Sequence, residues 1–211
     1  PTQELELEVD DRNWCSLRSG AAFFRINGLS AEEFPPLPQI KHEKKIALPQ
    51  EKLKAMLRKT SFAVSTDETR HVLNGIFFSI KEQKITLVAT DGRRMALTEE
   101  EVELGEESGG EFILPTKTVN ELNRLLQAAG EAEIRFSENQ AAFSLRDEKG
   151  SGILVISKLV DGSYPNYRQV IPAESRERVT LVREELLQAL RRAEIMTSEK
   201  SNSVKLNFAK N

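Results

Sequence analysis

The feature that most constrains this chain is an internal repeat. Three segments share one pattern: IALPQEKLKAMLRK from Ile46, FILPTKTVNELNRL from Phe112 and VTLVREELLQALRR from Val179. Each reads as a short apolar strand running into an amphipathic helix. Aligning Leu48, Leu114 and Leu181, which lie about 66 residues apart, brings Leu53, Val119 and Leu186 into one column and Arg58, Arg124 and Arg191 into another. A single strand and helix in succession is common in mixed folds. The same pair recurring at nearly constant spacing defines a building block.

After each of the first two helices the period changes from helical to alternating. VLNGIFFSI from Val72, KITLVAT from Lys84 and RMALTE from Arg94 predict three strands, joined through Glu82-Gln83 and through Asp91-Gly92. AEIRF from Ala132, AAFSLRD from Ala141 and GILVISK from Gly152 repeat the scheme, with Asn139 and Gly150 to Gly152 in the turns. ELELEV from Glu4, WCSLRS from Trp14 and AFFRI from Ala22 form three strands with no helix before them, like the tail of an earlier copy. Aromatic-proline loops, with Phe34-Pro35 in EEFPPLPQI and Tyr164-Pro165 in GSYPNYRQVIP, follow corresponding three-strand tails. The fold class expected is α+β, in repeated units of helix plus antiparallel strands. Residues 1–42 are read as the end of one two-unit domain, 43–172 as a complete domain and 173–211 as the start of a third. The opening at Pro1 without methionine and the stop at Asn211, just past the strand-like VKLNF, read as cut ends.

Charge narrows the function. The chain has 30 Lys+Arg against 33 Asp+Glu, a formal net charge of -3, so contact with nucleic acid has to come from a local basic surface. The longest apolar runs, IFF near residue 76 and ILVI near residue 153, fall far short of the ~20 residues a membrane helix needs. A lone cysteine, Cys15, makes no intrachain disulfide, and no apolar leader precedes the first charged residues, which points to the cytoplasm.

An enzyme needs convergent acid, base, nucleophile or metal-binding groups, and the supply is thin. His42 lies in the charged KHEKK linker and His71 stands alone at a strand start, neither with a partner at metal-ligand spacing. Cys15 beside Trp14 reads as a packed strand residue. Asp91 and Asp161 each precede glycine, which makes them turn residues rather than a metal pair. There is no GxxxxGK[ST] and no GxGxxG sequence for a nucleotide. No catalytic residue, metal site or cofactor is expected.

VLNGIFF with Leu73-Asn74-Gly75, VATDGRRMAL from Val88 to Leu97, and SKLVDGSYPNYRQVIP from Ser157 to Pro172 stand in an order that resembles the bacterial DNA sliding clamp family, the beta subunit of DNA polymerase III. The resemblance runs from Leu5 to Phe208. It implies a DNA-clamp fold with helices lining a hole and sheets outside, in a ring closed by a homodimer of three-domain subunits. Such a ring is a processivity factor, non-catalytic, that encircles double-stranded DNA without reading sequence. It tethers the replicative polymerase, the clamp loader and other clamp-binding proteins.

Two groups of residues follow from that resemblance. On the predicted helices, Leu53, Met56 and Leu57, and then Val119, Leu122 and Leu126, form buried stripes. Lys52, Lys54 and Arg58, with Lys59, and then Lys117 and Arg124, with Asn120, lie off those stripes. Their charges would attract phosphate without reading bases. Arg70 and His71, in TDETRH, are the DNA candidates at the rim. Taken alone, basic residues opposite an apolar stripe form a solvated face. The second group is a partner-peptide pocket to which this chain would contribute Leu73, Thr90, Gly92, Arg93, Met95, Pro165, Gln169 and Val170. Apolar side chains would form the receptacle, Thr90 and Arg93 would orient the peptide, and Gly92 would allow close backbone approach. Met95 stands where leucine is frequent in the family and Gln169 where arginine is. Taken alone, Leu73 and Met95 read as sheet core and Pro165 as a loop former. A repeat scaffold lacking both basic lining and pocket is the competing non-enzymatic reading.

Overall fold

The computed structural model describes residues 4–38, 40, 44–103, 109–147, 150–173, 177–197 and 203–208. These fall into two compact units, residues 1–165 and 166–211. The first unit opens with β1 (Glu6–Val9), β2 (Trp14–Ser19) and β3 (Ala22–Asn27), an antiparallel sheet in that order. Cys15 sits in β2, as expected, and Arg25 both pairs with Asp10 at 3.1 Å and lies over the Trp14 ring. Much of this sheet's apolar surface, including Leu7, Phe23, Phe24 and Ile26, is exposed.

The repeat then unfolds twice. The first copy is β4 (Lys44–Pro49), α1 (Gln50–Thr60), β5 (Gly75–Lys81), β6 (Lys84–Thr90) and β7 (Met95–Glu101). The second is β8 (Gly110–Pro115), α2 (Thr116–Leu125), β9 (Glu131–Phe136), β10 (Gln140–Arg146) and β11 (Gly152–Lys158). Pro49 and Pro115, with φ of -58 and -60°, sit at the two strand-to-helix junctions. Proline suits a helix entrance, where its missing N–H leaves no hydrogen bond unmade.

The two copies exchange their leading strands. One sheet runs β7-β6-β5-β8 and the other β11-β10-β9-β4, so β8 completes the first copy's sheet and β4 the second's. The registers place Ile76 opposite Leu114, Phe78 opposite Phe112, and Ile46 opposite Ile134. One core results. Leu53, Met56 and Leu57 of α1 and Val119 and Leu122 of α2 bury with Phe78, Phe112, Ile134, Phe136 and Phe143. Phe78 stacks on Phe112 at 4.8 Å, and Phe112 meets Phe136 at 4.9 Å. Burying each such side chain contributes roughly 2 kcal/mol, so neither copy retains its core without the other.

Several expected boundaries shift. Val72 to Asn74 do not join β5; they end a 3-10 segment, Glu68–Leu73. The Leu73 carbonyl accepts from Ser65 N–H at 3.0 Å, and the Asn74 carbonyl from Thr116 N–H at 3.1 Å, which removes both from any ladder. Arg94 likewise lies before β7. The link expected at Asp91-Gly92 is a four-residue loop, Asp91 to Arg94, closed by the Thr90–Met95 pair. The Glu82-Gln83 turn holds as two residues, both at positive φ (55 and 58°), the geometry that matches the twist of a tight hairpin.

The second unit contains a 3-10 turn, Tyr167–Val170, and α3 (Arg183–Glu194). VTLV at 179–182 and VKLNF at 204–208 are not strands. In the first unit the leading strands β4 and β8 each pair across to the other copy's sheet, and this unit has no such partner strand among the described residues. His42 and part of the KHEKK linker lie outside the described residues. No helix among the described residues is long and apolar enough to cross a membrane.

Candidate functional site

Of the candidate pocket residues, Thr90, Gly92, Arg93 and Met95 form the tip of the β6–β7 hairpin. Asp91 organises that tip. Its Oδ1 accepts from the backbone N–H groups of Arg93 at 2.9 Å and Arg94 at 3.0 Å, and its Oδ2 pairs with Arg94 Nε at 3.1 Å. These bonds stabilise the carboxylate, led by the Arg94 and Arg93 amides, and hold its pKa down to about 2. Gly92 has φ +83°, a conformation that favours glycine. The Thr90 hydroxyl donates to the Arg94 carbonyl at 2.7 Å and accepts from Gly92 N–H at 3.1 Å. Thr90 therefore orients the turn itself, and its donor is not left over for a ligand as the sequence suggested. Arg93 is exposed, and its guanidinium has no ion pair among the described residues.

Strand alternation sorts the hairpin into two faces. Phe78, Leu87, Ala89 and Ala96 enter the core beneath the helices. Phe77, Val88, Thr90, Met95 and Leu97 belong to the opposite face. There Met95 is half-buried and Leu97 is exposed. Leu73 is 7% exposed and lies outside the helix-facing core cluster, so it is neither an ordinary core residue nor an open pocket wall. Tyr164 stacks on Phe77 with centroids 4.8 Å apart and planes 11° apart, which fixes the loop that carries exposed Pro165. A Cβ at Gly162 would lie 2.8 Å from Val72, so this loop also presses on the segment leading to Leu73. Burial pushes the Tyr164 hydroxyl pKa up to about 12, countered only in part by the Thr90 backbone. Gln169 and Val170 lie in the second unit, on its exposed 3-10 turn.

Three residues of this region were not among the sequence candidates. In the sequence Tyr164 stands out only as the aromatic member of a Tyr-Pro loop. Arg94 anchors the turn and lies over the ring of Phe62, 5.8 Å from its centroid, and Phe62 itself is exposed. The aromatic-proline pair was the only sequence signal for Tyr164; nothing in the sequence joined Phe62 to Arg94.

The basic candidates on α1 and α2 sit on the other side of the sheets. α1 and α2 pack against each other, and the Lys54 ammonium donates to the Leu126 carbonyl at 2.6 Å, tying one helix to the end of the other. Lys52 pairs with Glu100 of β7 at 3.3 Å. Arg124 is exposed and pairs with Glu121 one turn earlier. Arg58, Lys59 and Lys117 are exposed, without ion pairs among the described residues. His71 is exposed on the 3-10 segment. Arg70 is held differently. Its Nε pairs with Asp67 at 3.3 Å, and its Nη1 donates to the Asp91 carbonyl at 3.2 Å.

Two helices packed on two sheets that exchange their leading strands define a clamp-type fold, and comparison with known proteins agrees. Residues 47–166 match the family model described as the central domain of the DNA polymerase III beta subunit. The chain is 37% identical to the beta sliding clamp of Chlamydia pneumoniae, over 97% of this chain and 54% of that protein. It is 35% identical to that of Bacillus subtilis, over 97% and 53%. Among solved structures, the B. subtilis DNA polymerase sliding clamp superposes with a TM-score of 0.83 at 34% identity, covering 93% of this chain and 51% of that one. A sliding clamp from Bartonella birtlesii bound to griselimycin gives 0.83 at 35% identity, covering 95% and 54%. The chain belongs to the DNA polymerase III beta subunit family, the bacterial sliding clamps. It spans about half the length of these relatives.

Proposed function

We propose that the intact protein is a DNA polymerase processivity factor. It is a non-catalytic cytoplasmic ring, closed as a homodimer, that encircles duplex DNA and tethers the replicative polymerase, the clamp loader and other proteins through a peptide pocket. In this reading residues 1–42 end the first clamp domain, 43–172 form the second and 173–211 begin the third. The observation that carries it is the separation of the two candidate surfaces onto opposite sides of the same sheets. Cations on one side and an apolar, arginine-edged hairpin on the other allow DNA and a partner to be held at once. The DNA side comprises Lys52, Lys54, Arg58, Lys117 and Arg124 on the helices, contacting phosphate weakly enough to slide, with His71 at the rim; of the rim candidates, Arg70 is turned to the hairpin instead. In the first unit the pocket residues are Leu73, Thr90, Gly92, Arg93, Met95 and Pro165, with Gln169 and Val170 as candidates of the second unit, and griselimycin, to which the B. birtlesii clamp is bound, is the expected ligand.

The test is topological. The intact protein is loaded on nicked circular DNA and the circle is then cut. A ring slides off the new ends, whereas retention on linear DNA overturns the proposal. Met95→Lys, with folding intact, is expected to abolish griselimycin binding while leaving retention on circles unchanged.

A further inference from the structure

Arg70 is the one DNA candidate whose guanidinium reaches the candidate pocket. It sits where the 3-10 segment bends, at φ -109° and ψ 56°, between the end of α1 and the start of β5. Its Nε holds Asp67, whose carboxylate is fixed in turn by the Thr69 N–H at 3.0 Å and the Thr69 hydroxyl at 2.7 Å. From that anchor its Nη1 crosses to the hairpin and donates to the Asp91 carbonyl at 3.2 Å. The contact is close. A Cβ built on Gly92 would lie 3.0 Å from the same Nη1, so the guanidinium rests against the glycine itself.

We infer that Arg70 is a positioning residue for the partner pocket: clamped by Asp67, it fixes the Asp91-Gly92 backbone at the hairpin tip and thereby sets the rim that receives a partner peptide. This rests on the pocket reading proposed above. The chemistry requires arginine, because one planar group donates from Nε in one direction and from Nη1 in another, and both partners are satisfied at once. A lysine keeps the charge but offers a single point that cannot span carboxylate and carbonyl together. Asp91 completes the logic from within the turn. Its side chain ties down the Arg93 and Arg94 amides while its own carbonyl is gripped from outside by Arg70. The rim at Thr90, Gly92, Arg93 and Met95 is held on both sides.

The test uses the intact protein, griselimycin as the probe, and Arg70→Lys as the charge-preserving variant. Wild type binds the probe. Arg70→Lys weakens binding about tenfold, the effect of losing one charge-assisted hydrogen bond, while its melting temperature and its retention on circular DNA stay at wild-type values. The backbone amide signals of Gly92, Arg93 and Arg94 shift in Arg70→Lys, a local response that a general packing defect does not confine to the hairpin. Asp67→Asn is the second variant. It keeps an oxygen for the Thr69 N–H but releases Arg70, and it weakens the probe roughly threefold, with no further loss when combined with Arg70→Lys. Probe binding within about twofold of wild type in Arg70→Lys overturns the inference alone. Failure of wild type to bind the probe overturns the pocket reading and this inference with it. Loss of retention on circular DNA in Arg70→Lys with unchanged probe binding assigns Arg70 to DNA and overturns the inference.

Discussion

Replacing Gln50 by leucine tests how the two copies are fastened. Gln50 is the first residue of α1 and is 2% exposed, yet its whole amide is used. Its Oε1 accepts from Gln127 N–H at 3.0 Å, and its Nε2 donates to the Arg146 carbonyl at 2.9 Å and more weakly to the Glu131 carbonyl at 3.4 Å. Its own backbone N–H donates to the Gly130 carbonyl at 3.0 Å. One side chain from the first copy thus satisfies three backbone groups of the second. Leucine fills similar space but strands the Arg146 carbonyl and the Gln127 N–H, each costing about 1 to 3 kcal/mol if it stays dry. Because Gln127 is exposed, water recovers part of its loss, and the new methyl groups offset about 1 kcal/mol. The net destabilisation expected is about 3 kcal/mol, a fall in melting temperature of roughly 10 °C. Urea denaturation followed by circular dichroism reads it as a lower midpoint at unchanged slope. Gln50→Glu supplies a signed control. Its carboxylate faces two carbonyls and is more damaging at neutral pH, and it recovers as the pH falls and the protonated acid donates to Arg146. A Gln50→Leu protein within about 0.5 kcal/mol of wild type would show that the amide fastening contributes nothing.

Three further outcomes are expected. At Gly75 a Cβ would lie 2.4 Å from the Leu114 carbonyl oxygen and 2.9 Å from Ile113, so Gly75→Ala forces β5 and β8 apart. It lowers stability by about 2 to 4 kcal/mol in the same denaturation assay, and no loss would contradict the tight crossing. The chain has two tyrosines, so in Tyr167→Phe the ultraviolet titration reports Tyr164 alone, with a midpoint near 12. The native state keeps that proton longer than the unfolded chain does, and the associated stability is lost as pH rises from about 10 to about 12; a midpoint at 10 refutes the burial argument. The Asp91 carboxyl, followed by NMR, titrates near 2. Its hold on the hairpin tip is complete above the usual carboxylate range and is released as pH falls toward 2, and a midpoint near 4 refutes it.

Much of the fold was legible because it is written in periodicity. The 3.6-residue pattern of Leu53, Met56 and Leu57 and the two-residue alternation of Ala132, Ile134 and Phe136 are imposed by burial, and both appear as read. The exchange of β4 and β8 was not legible, since an apolar strand records that it is buried but not which strand it pairs with. For the same reason VTLV at 179–182 repeats the strand signal without forming a strand. In the candidate site, the types of residue at the hairpin were legible from the resemblance, while their duties were not. Whether the Thr90 hydroxyl serves the turn or a ligand, and whether Arg70 reaches Asp91, depends on the path through Gly92 at positive φ. Tyr164 and Phe62 are joined to the hairpin only through space.

The exchanged strands also govern when this region can fold as it is made. β4 leaves the ribosome early but finds its partner, β9, only after the whole of α1, β5 to β8 and α2 has been synthesised. Until Phe136 is available to face Lys44, the nascent first copy has an unclosed core and an unpaired β4. Pairing across so long a stretch of chain raises contact order and slows folding. Translation speed between Pro49 and Glu131, and any chaperone that shields that interval, therefore act directly on the yield of folded protein.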